Sequence, residues 1–232
     1  MTTAPAHAVL DGALRARLAR LDTAALSDAV DSLRAAPCVL PGIAARTPGT
    51  VAFGPAFTVR YRPLEDDGAF HNAADYLDDV PPGSVVVADN GGTGACTTWG
   101  SLLTSVALHR KVAGTVVHGA VRDVRETREA GYPLFSTAVT MVSGKNRVVL
   151  DRTGSELDIA GTVVRPGDLV FADDNGALRI PAGLVDEVVR RAEAVERTEQ
   201  RIREAARDGL RLDEARARFG YAHPWEAQDD AH

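Results

Sequence analysis

Arg122-Asp123 is the pair in this chain whose residue types are best suited to chemistry. A guanidinium is a fixed cation that matches a carboxylate, and an aspartate is a hard anion that matches a divalent cation. The pair closes the run from Val85 to Asp123, VVVADNGGTGACTTWGSLLTSVALHRKVAGTVVHGAVRD. The β-branched stretch Val85–Val87 stops at Asp89-Asn90-Gly91-Gly92, a turn signal. Trp99, Leu102, Leu103, Val106 and Ala107 then recur at spacings of three and four, as on one face of a helix. Gly114 ends that helix, and a second apolar run, Thr115–Val117, leads to a glycine turn at His118-Gly119 and on to Arg122-Asp123. Strand, turn, helix and strand predict a right-handed βαβ unit with parallel strands. Both glycine turns then fall at the carboxyl ends of the strands, where open α/β sheets bind ligands. The first turn, GGTGAC, matches neither the dinucleotide fingerprint nor the Walker pattern, and no lysine follows it.

The rest of the chain must hold this unit in place. Its 232 residues suit one domain with helical extensions. Aromatic content is 5% and net charge −6, so nothing basic is concentrated enough to suggest nucleic acid. The apolar runs fall short of a membrane span, and Met1–Leu21 carries no positive segment ahead of an apolar core. A cytoplasmic protein is expected, with Cys38 and Cys96 as reduced thiols, too few for a disulfide framework or a zinc site. Residues 8–20 predict a helix with Leu10, Leu14, Leu18 and Leu21 on one stripe, and Asp22 or Thr23 caps a second helix through Leu33. Thr50–Tyr61 reads as a strand broken at Gly54-Pro55, and Asp67–Asp79 as a helix in which His71 serves packing or capping. After Asp123 come a short charged helix (Arg125–Ala130), strands at Pro133–Val142, Arg147–Leu150, Glu156–Val164 and Leu169–Ala172, and a hairpin turn at Asp173-Asp174-Asn175-Gly176 returning through Ala177–Ile180. That turn resembles the start of an EF-hand but lacks the remaining ligands.

The central segment resembles the RraA-like family, which includes the class II 4-hydroxy-4-methyl-2-oxoglutarate/4-carboxy-4-hydroxy-2-oxoadipate aldolases. The resemblance rests on Gly91-Gly92, on Trp99-Gly100 before a helix, and on Gly119-Ala120-Val121-Arg122-Asp123. It extends to LSDAVDSL (Leu26–Leu33), FGPAFTVR (Phe53–Arg60), VRPGDLVFADDNGALRIP (Val164–Pro181) and a closing charged helix. It implies an α/β fold, a swivelling β/β/α single domain around the βαβ unit. The domain would span residues 1–225, with N-terminal helices at 8–34, a β/β/α core at 50–181 and a C-terminal helical extension at 182–220; residues 226–232 form a flexible tail.

The resemblance also implies a chemistry. Asp123 would hold Mg²⁺ or Mn²⁺ with water and substrate completing the shell, and Arg122 would pair with a 2-oxo acid held at Gly100, Leu102 and Leu103. Retro-aldol cleavage or oxaloacetate-type decarboxylation would then pass through a pyruvate enolate. On the last helix, Val185, Val188, Ala192, Val195, Ile202 and Ala206 form a heptad-like seam on which position 199 is Glu199. In the aldolases an acidic residue of this helix reaches a neighbouring subunit's site, and Glu199, then Glu196, are the matches. A homo-trimer or homo-hexamer is therefore implied, with no nucleic-acid or membrane partner. The chain departs from the aldolases at Ser101, where they carry aspartate. His118, where many relatives have aspartate, puts an imidazole near the same mouth as a candidate acid or base. The alternative is a non-catalytic binding protein like the family's ribonuclease E regulators; that branch lacks the aspartate after the motif arginine and the long final helix. A methyltransferase finds no cofactor fingerprint here.

Overall fold

The computed structural model describes residues 10–36, 38–65 and 74–226. In chain order the elements are α1 (Gly12–Leu18), α2 (Thr23–Ser32), β1 (Ala44–Ala45), β2 (Ala52–Pro63), a 3-10 turn (Asp75–Asp79), β3 (Val85–Asp89), β4 (Thr97–Trp99), α3 (Ser101–His109) and β5 (Gly114–Val121). They continue with α4 (Val124–Glu129), β6 (Leu134–Val139), β7 (Val148–Thr153), β8 (Leu157–Ile159), β9 (Thr162–Val164), β10 (Leu169–Asp173), β11 (Gly176–Ile180), α5 (Val185–Arg207) and α6 (Leu212–Arg218). His71 and the tail beyond Glu226 lie outside the described residues; of the helix expected at Asp67–Asp79, the described part is the 3-10 turn.

The fold is a mixed α/β single domain with a nearly closed sheet, in the order β1-β6-β5-β3-β2-β10-β11, β4 lying against β5 and β7 against β2. β3 and β5 run parallel with Val85 opposite Gly114, as the βαβ reading requires. Their apolar runs are continuous because both faces are covered. Val86, Ala88, Val117 and Val121 enter a core with Trp99 and Tyr132, while Val85, Val87 and Val116 enter another with Phe135 and Val170. A fully buried valine contributes about 1.5–3 kcal/mol, so burial on both faces holds these strands at the centre of the domain.

Several boundaries differ from the sequence reading. β2 runs through Gly54-Pro55 without a break. Its ladder to β10 covers Ala52 to Pro55 and its ladder to β3 starts at Ala56, so the proline sits where the partner changes. Asp22, not Thr23, caps α2 by accepting from Ala25 N at 2.8 Å; the Thr23 hydroxyl is engaged by Asp173. His118-Gly119 is not a turn but a bulge inside β5, where the register with β6 shifts and the Thr137 hydroxyl bridges Gly119 N and O at 2.9 Å. Glu156–Val164 is a hairpin of two short strands around Ala160-Gly161, both at positive φ, rather than one strand. The C-terminal seam does not wait for another chain over most of its length. Val185, Val188, Ala192 and Val195 pack on α1, α2, β10 and β11 of the same chain, and Ala206 is exposed. No helix among the described residues is long and apolar enough to cross a membrane.

Candidate active site

Trp99 anchors the site. Its fully buried indole stacks on Tyr132 at 5.9 Å and donates to Thr104 Oγ1 at 3.0 Å. Thr104 Oγ1 lies 3.3 Å from Thr127 Oγ1, which donates to the Asp123 carbonyl at 3.1 Å. Arg122 N donates to Trp99 O at 3.0 Å. Trp-Gly and Arg-Asp, distant in sequence, are thus tied together by β4, α3 and α4.

Asp123 has φ 54° and ψ 38°, the left-handed region, which for a residue with a Cβ costs on the order of 1–2 kcal/mol. It occupies the N-cap of α4, yet its side chain does not cap that helix. The carboxylate turns to the start of α3, where Oδ2 accepts from Ser101 N at 2.9 Å and Ser101 Oγ at 3.0 Å. Arg122 Nε stands 3.6 Å from the same oxygen. No described residue donates to Oδ1. A side chain sacrificed by its own helix and aimed elsewhere is a local rule broken at a site.

Arg122 and Asp123 border a cleft of about 160 Å³ lined also by Thr97, Thr98, Trp99, Gly100, Ser101, Leu102, Leu103, Ser143, Gly144 and Lys145. Gly100 has no side chain to cap α3, so the N–H groups of Leu102 and Leu103 have no described acceptor and are available to an anion. The structure therefore brings Gly100, Ser101, Leu102, Leu103, Arg122 and Asp123 together. It also adds Lys145, which has no carboxylate partner among the described residues, and the buried, unpartnered Thr98 hydroxyl. Neither carries a motif signal; Lys145 was visible only as one of two lysines.

His118 and Glu199 do not join this group. His118 Nδ1 lies 2.8 Å from Asp89 Oδ1, which also accepts from Gly91 N at 2.9 Å, and the ring underlies the Gly91-Gly92 turn. It does not line the cleft. Glu199 is half-buried on α5 and pairs with Arg203 at 3.1 Å, and Arg203 also reaches Glu196 at 3.6 Å. Burial and the neighbouring Asp22 push the Glu196 carboxyl above its ordinary range, with Arg203 pulling the other way.

For a divalent ion the donor set can be tested directly. One carboxylate oxygen stands free in an open cleft, and no group of three or more His, Cys, Asp or Glu able to hold a metal occurs among the described residues. That fits a hard ion keeping most of its shell as water or substrate, the habit of Mg²⁺, and does not fit zinc.

The profile of the RraA-like (Aldolase/RraA) family matches residues 23–179, and the chain belongs to that family. It is 46% identical over 214 residues to Protein DlpA of Legionella pneumophila, covering 90% of this chain and 34% of that protein. It is 35% identical over 109 residues to a 4-hydroxy-4-methyl-2-oxoglutarate aldolase of Thermus thermophilus, covering 45% of this chain and 63% of the aldolase. The chain thus spans only about a third of DlpA. Among solved structures, an uncharacterised protein from Pseudomonas syringae pv. tomato superposes with TM-score 0.83 at 43% identity, covering 90% of this chain and 98% of that one. Streptomyces coelicolor RraAS2, described as an unusual member of the RNase ES inhibitor RraA family, gives 0.75 at 29% identity over 83% and 96%.

Proposed function

We propose that the chain is a divalent-metal-dependent carbon–carbon lyase acting on a 2-oxo acid. The observation that carries this reading is the Asp123 carboxylate, turned from its own helix into the cleft beside Arg122 and the free N–H groups of α3. The substrate carboxylate would lie against the Leu102 and Leu103 N–H groups and the Arg122 guanidinium. Asp123 would hold Mg²⁺ or Mn²⁺, which when bound supplies Lewis-acid polarisation of the keto oxygen. As the bond beyond C3 breaks, its electron pair passes into the C2–C3 enolate, and Arg122 offsets the charge developing on the C2 oxygen. In a retro-aldol cleavage the departing carbon becomes a carbonyl as its hydroxyl proton passes to solvent water, and in a decarboxylation CO₂ leaves instead; in both, the enolate takes a proton from water at C3 to give pyruvate. Lys145, which also lines the cleft, would take an anionic substrate tail. His118 stays outside the reacting centre in this reading, supporting the Gly91-Gly92 turn.

Glu199 and Glu196 lie outside the cleft of their own chain, so a catalytic contribution from α5 would be to a neighbouring copy in a trimer or hexamer. Light scattering giving a stable monomer at working concentration would exclude that assembly. The test of function is pyruvate release from a panel of 4-hydroxy-2-oxo acids and oxaloacetate with Mg²⁺ or Mn²⁺. Turnover that disappears in Asp123→Asn supports the reading. No turnover of any member, with the fold intact, favours the alternative, a non-catalytic binding protein of the ribonuclease E regulator type.

A further inference from the structure

We propose that Ser101 is the positioning residue that makes Asp123 a one-oxygen ligand, selecting a small octahedral cation over calcium; this rests on the metal reading of the site given above. A carboxylate oxygen accepts about two good hydrogen bonds. Asp123 Oδ2 receives two from one residue, the Ser101 N–H at 2.9 Å and the Ser101 hydroxyl at 3.0 Å. Arg122 Nε adds a cation at 3.6 Å on the same side. Behind it, Gly100 packs so close that a Cβ there would meet Oδ2 at 2.7 Å. Oδ2 is therefore both saturated and walled in, while Oδ1 has no donor among the described residues and is the oxygen left for an ion.

The consequence is chemical. Calcium takes six to eight oxygens and favours carboxylates that chelate through both; magnesium and manganese accept one oxygen per carboxylate and keep the remaining positions for water or substrate. A carboxylate with one oxygen tied down suits the second group. The serine hydroxyl has a role in this chain distinct from that of a general base: it orients and half-occupies the metal ligand. The backbone N–H alone would leave the second lone pair of Oδ2 open, allowing the carboxylate to rotate and chelate.

The experiment measures Mn²⁺ and Ca²⁺ binding to the full chain by calorimetry, with Mn²⁺ hydration followed by water-proton relaxation. Variants are Ser101→Ala, Ser101→Thr and Asp123→Asn. Loss of an outer hydrogen-bond partner typically weakens a metal site 10–100-fold, so Ser101→Ala should bind Mn²⁺ about tenfold more weakly or worse. Its preference for Mn²⁺ over Ca²⁺ should narrow, and its bound Mn²⁺ should carry fewer exchangeable waters as the second oxygen chelates. Ser101→Thr, which keeps the hydroxyl, should stay within threefold of the native chain on all three counts. Wild-type Mn²⁺ affinity and selectivity in Ser101→Ala would overturn the inference, as would failure of Ser101→Thr to rescue. Native binding that Asp123→Asn leaves unchanged, or no native binding at all, would instead overturn the metal reading on which it rests. If Ser101→Ala does not fold, Ser101→Cys, close in size with a weak S–H donor, replaces it under the same criteria.

Discussion

Gly100→Ala is the smallest change that should disable the site while leaving the fold. Gly100 is extended, with φ −161°, so an alanine meets no backbone objection. The obstacle is the added methyl, which would lie 2.7 Å from Asp123 Oδ2 and 3.2 Å from Arg122 Cγ. Ordinary contact begins at 3.4 Å, so the carboxylate would have to retreat by roughly 0.7 Å. Stretched by that much, the Ser101 bonds of 2.9 and 3.0 Å would pass beyond hydrogen-bonding distance. Asp123 has little freedom to compensate, because its carbonyl is held by Thr127 and its backbone is already left-handed. Misplacing a catalytic group by about 1 Å can cost on the order of 10²-fold, so metal-dependent turnover should fall by that order. Replacing an N-cap glycine with alanine costs only about 1 kcal/mol, a loss of roughly 2–4 °C in melting temperature for a domain of this size. The assay pairs Mn²⁺ calorimetry and pyruvate release with a thermal melt. Native affinity and turnover in a folded Gly100→Ala would refute the claim that contact at Oδ2 sets the site.

Lys145→Ala should raise KM about tenfold for a 2-oxo dicarboxylate and leave a 2-oxo monocarboxylate unaffected; equal effects on both would remove Lys145 from tail recognition. Glu187 is held down to about 2 by hydrogen bonds from Arg190 and Arg191. Because its folded value lies below the unfolded one, its contribution is full above roughly pH 4.5 and lost as pH falls towards 2. With the side chain 38% exposed, that contribution is about 1 kcal/mol at most, so urea midpoints of native chain and Glu187→Gln should differ slightly at neutral pH and converge near pH 2. Gly54→Ala should destabilise by several degrees or prevent folding, since its methyl would meet the Gly83 carbonyl oxygen at 2.2 Å, a backbone atom that cannot step aside; an unchanged melt would show that the β2 crossing tolerates a side chain.

What could be read from the sequence divides along physical lines. Continuous valine runs and a helix-period face give β3, α3 and β5 as a parallel βαβ unit, but Trp99, expected on the helix face, lies in β4, Leu102 is exposed, and β5 runs on past His118 to Val121. Short pieces escape: β4 has three residues, too few to show a period, yet it carries Trp99. The bulge at His118-Gly119 looked like a turn because glycine marks both, and only the cross-strand Thr137 bonds separate them. That difference moved the imidazole. Within β5 it meets Asp89 rather than standing free at the mouth. The seam of α5 misled for a related reason: a heptad stripe states that a face is buried, not which chain buries it.

The site itself was legible as residue types but not as hydrogen bonds. Arg122-Asp123 could be located at a strand end, and Ser101 could be seen as a departure from aspartate, but what the serine does depends on where α3 begins relative to α4. In space the two helix starts face each other, and the aspartate that would ordinarily cap one satisfies the first N–H of the other. An aspartate at position 101 would set a second anion against Oδ2 where the serine now donates. Ser101 and the left-handed Asp123 are therefore one arrangement: the hydroxyl offsets part of the cost of a backbone held in that region, and the carboxylate of this cleft-lining residue keeps Oδ1 without a donor among the described residues.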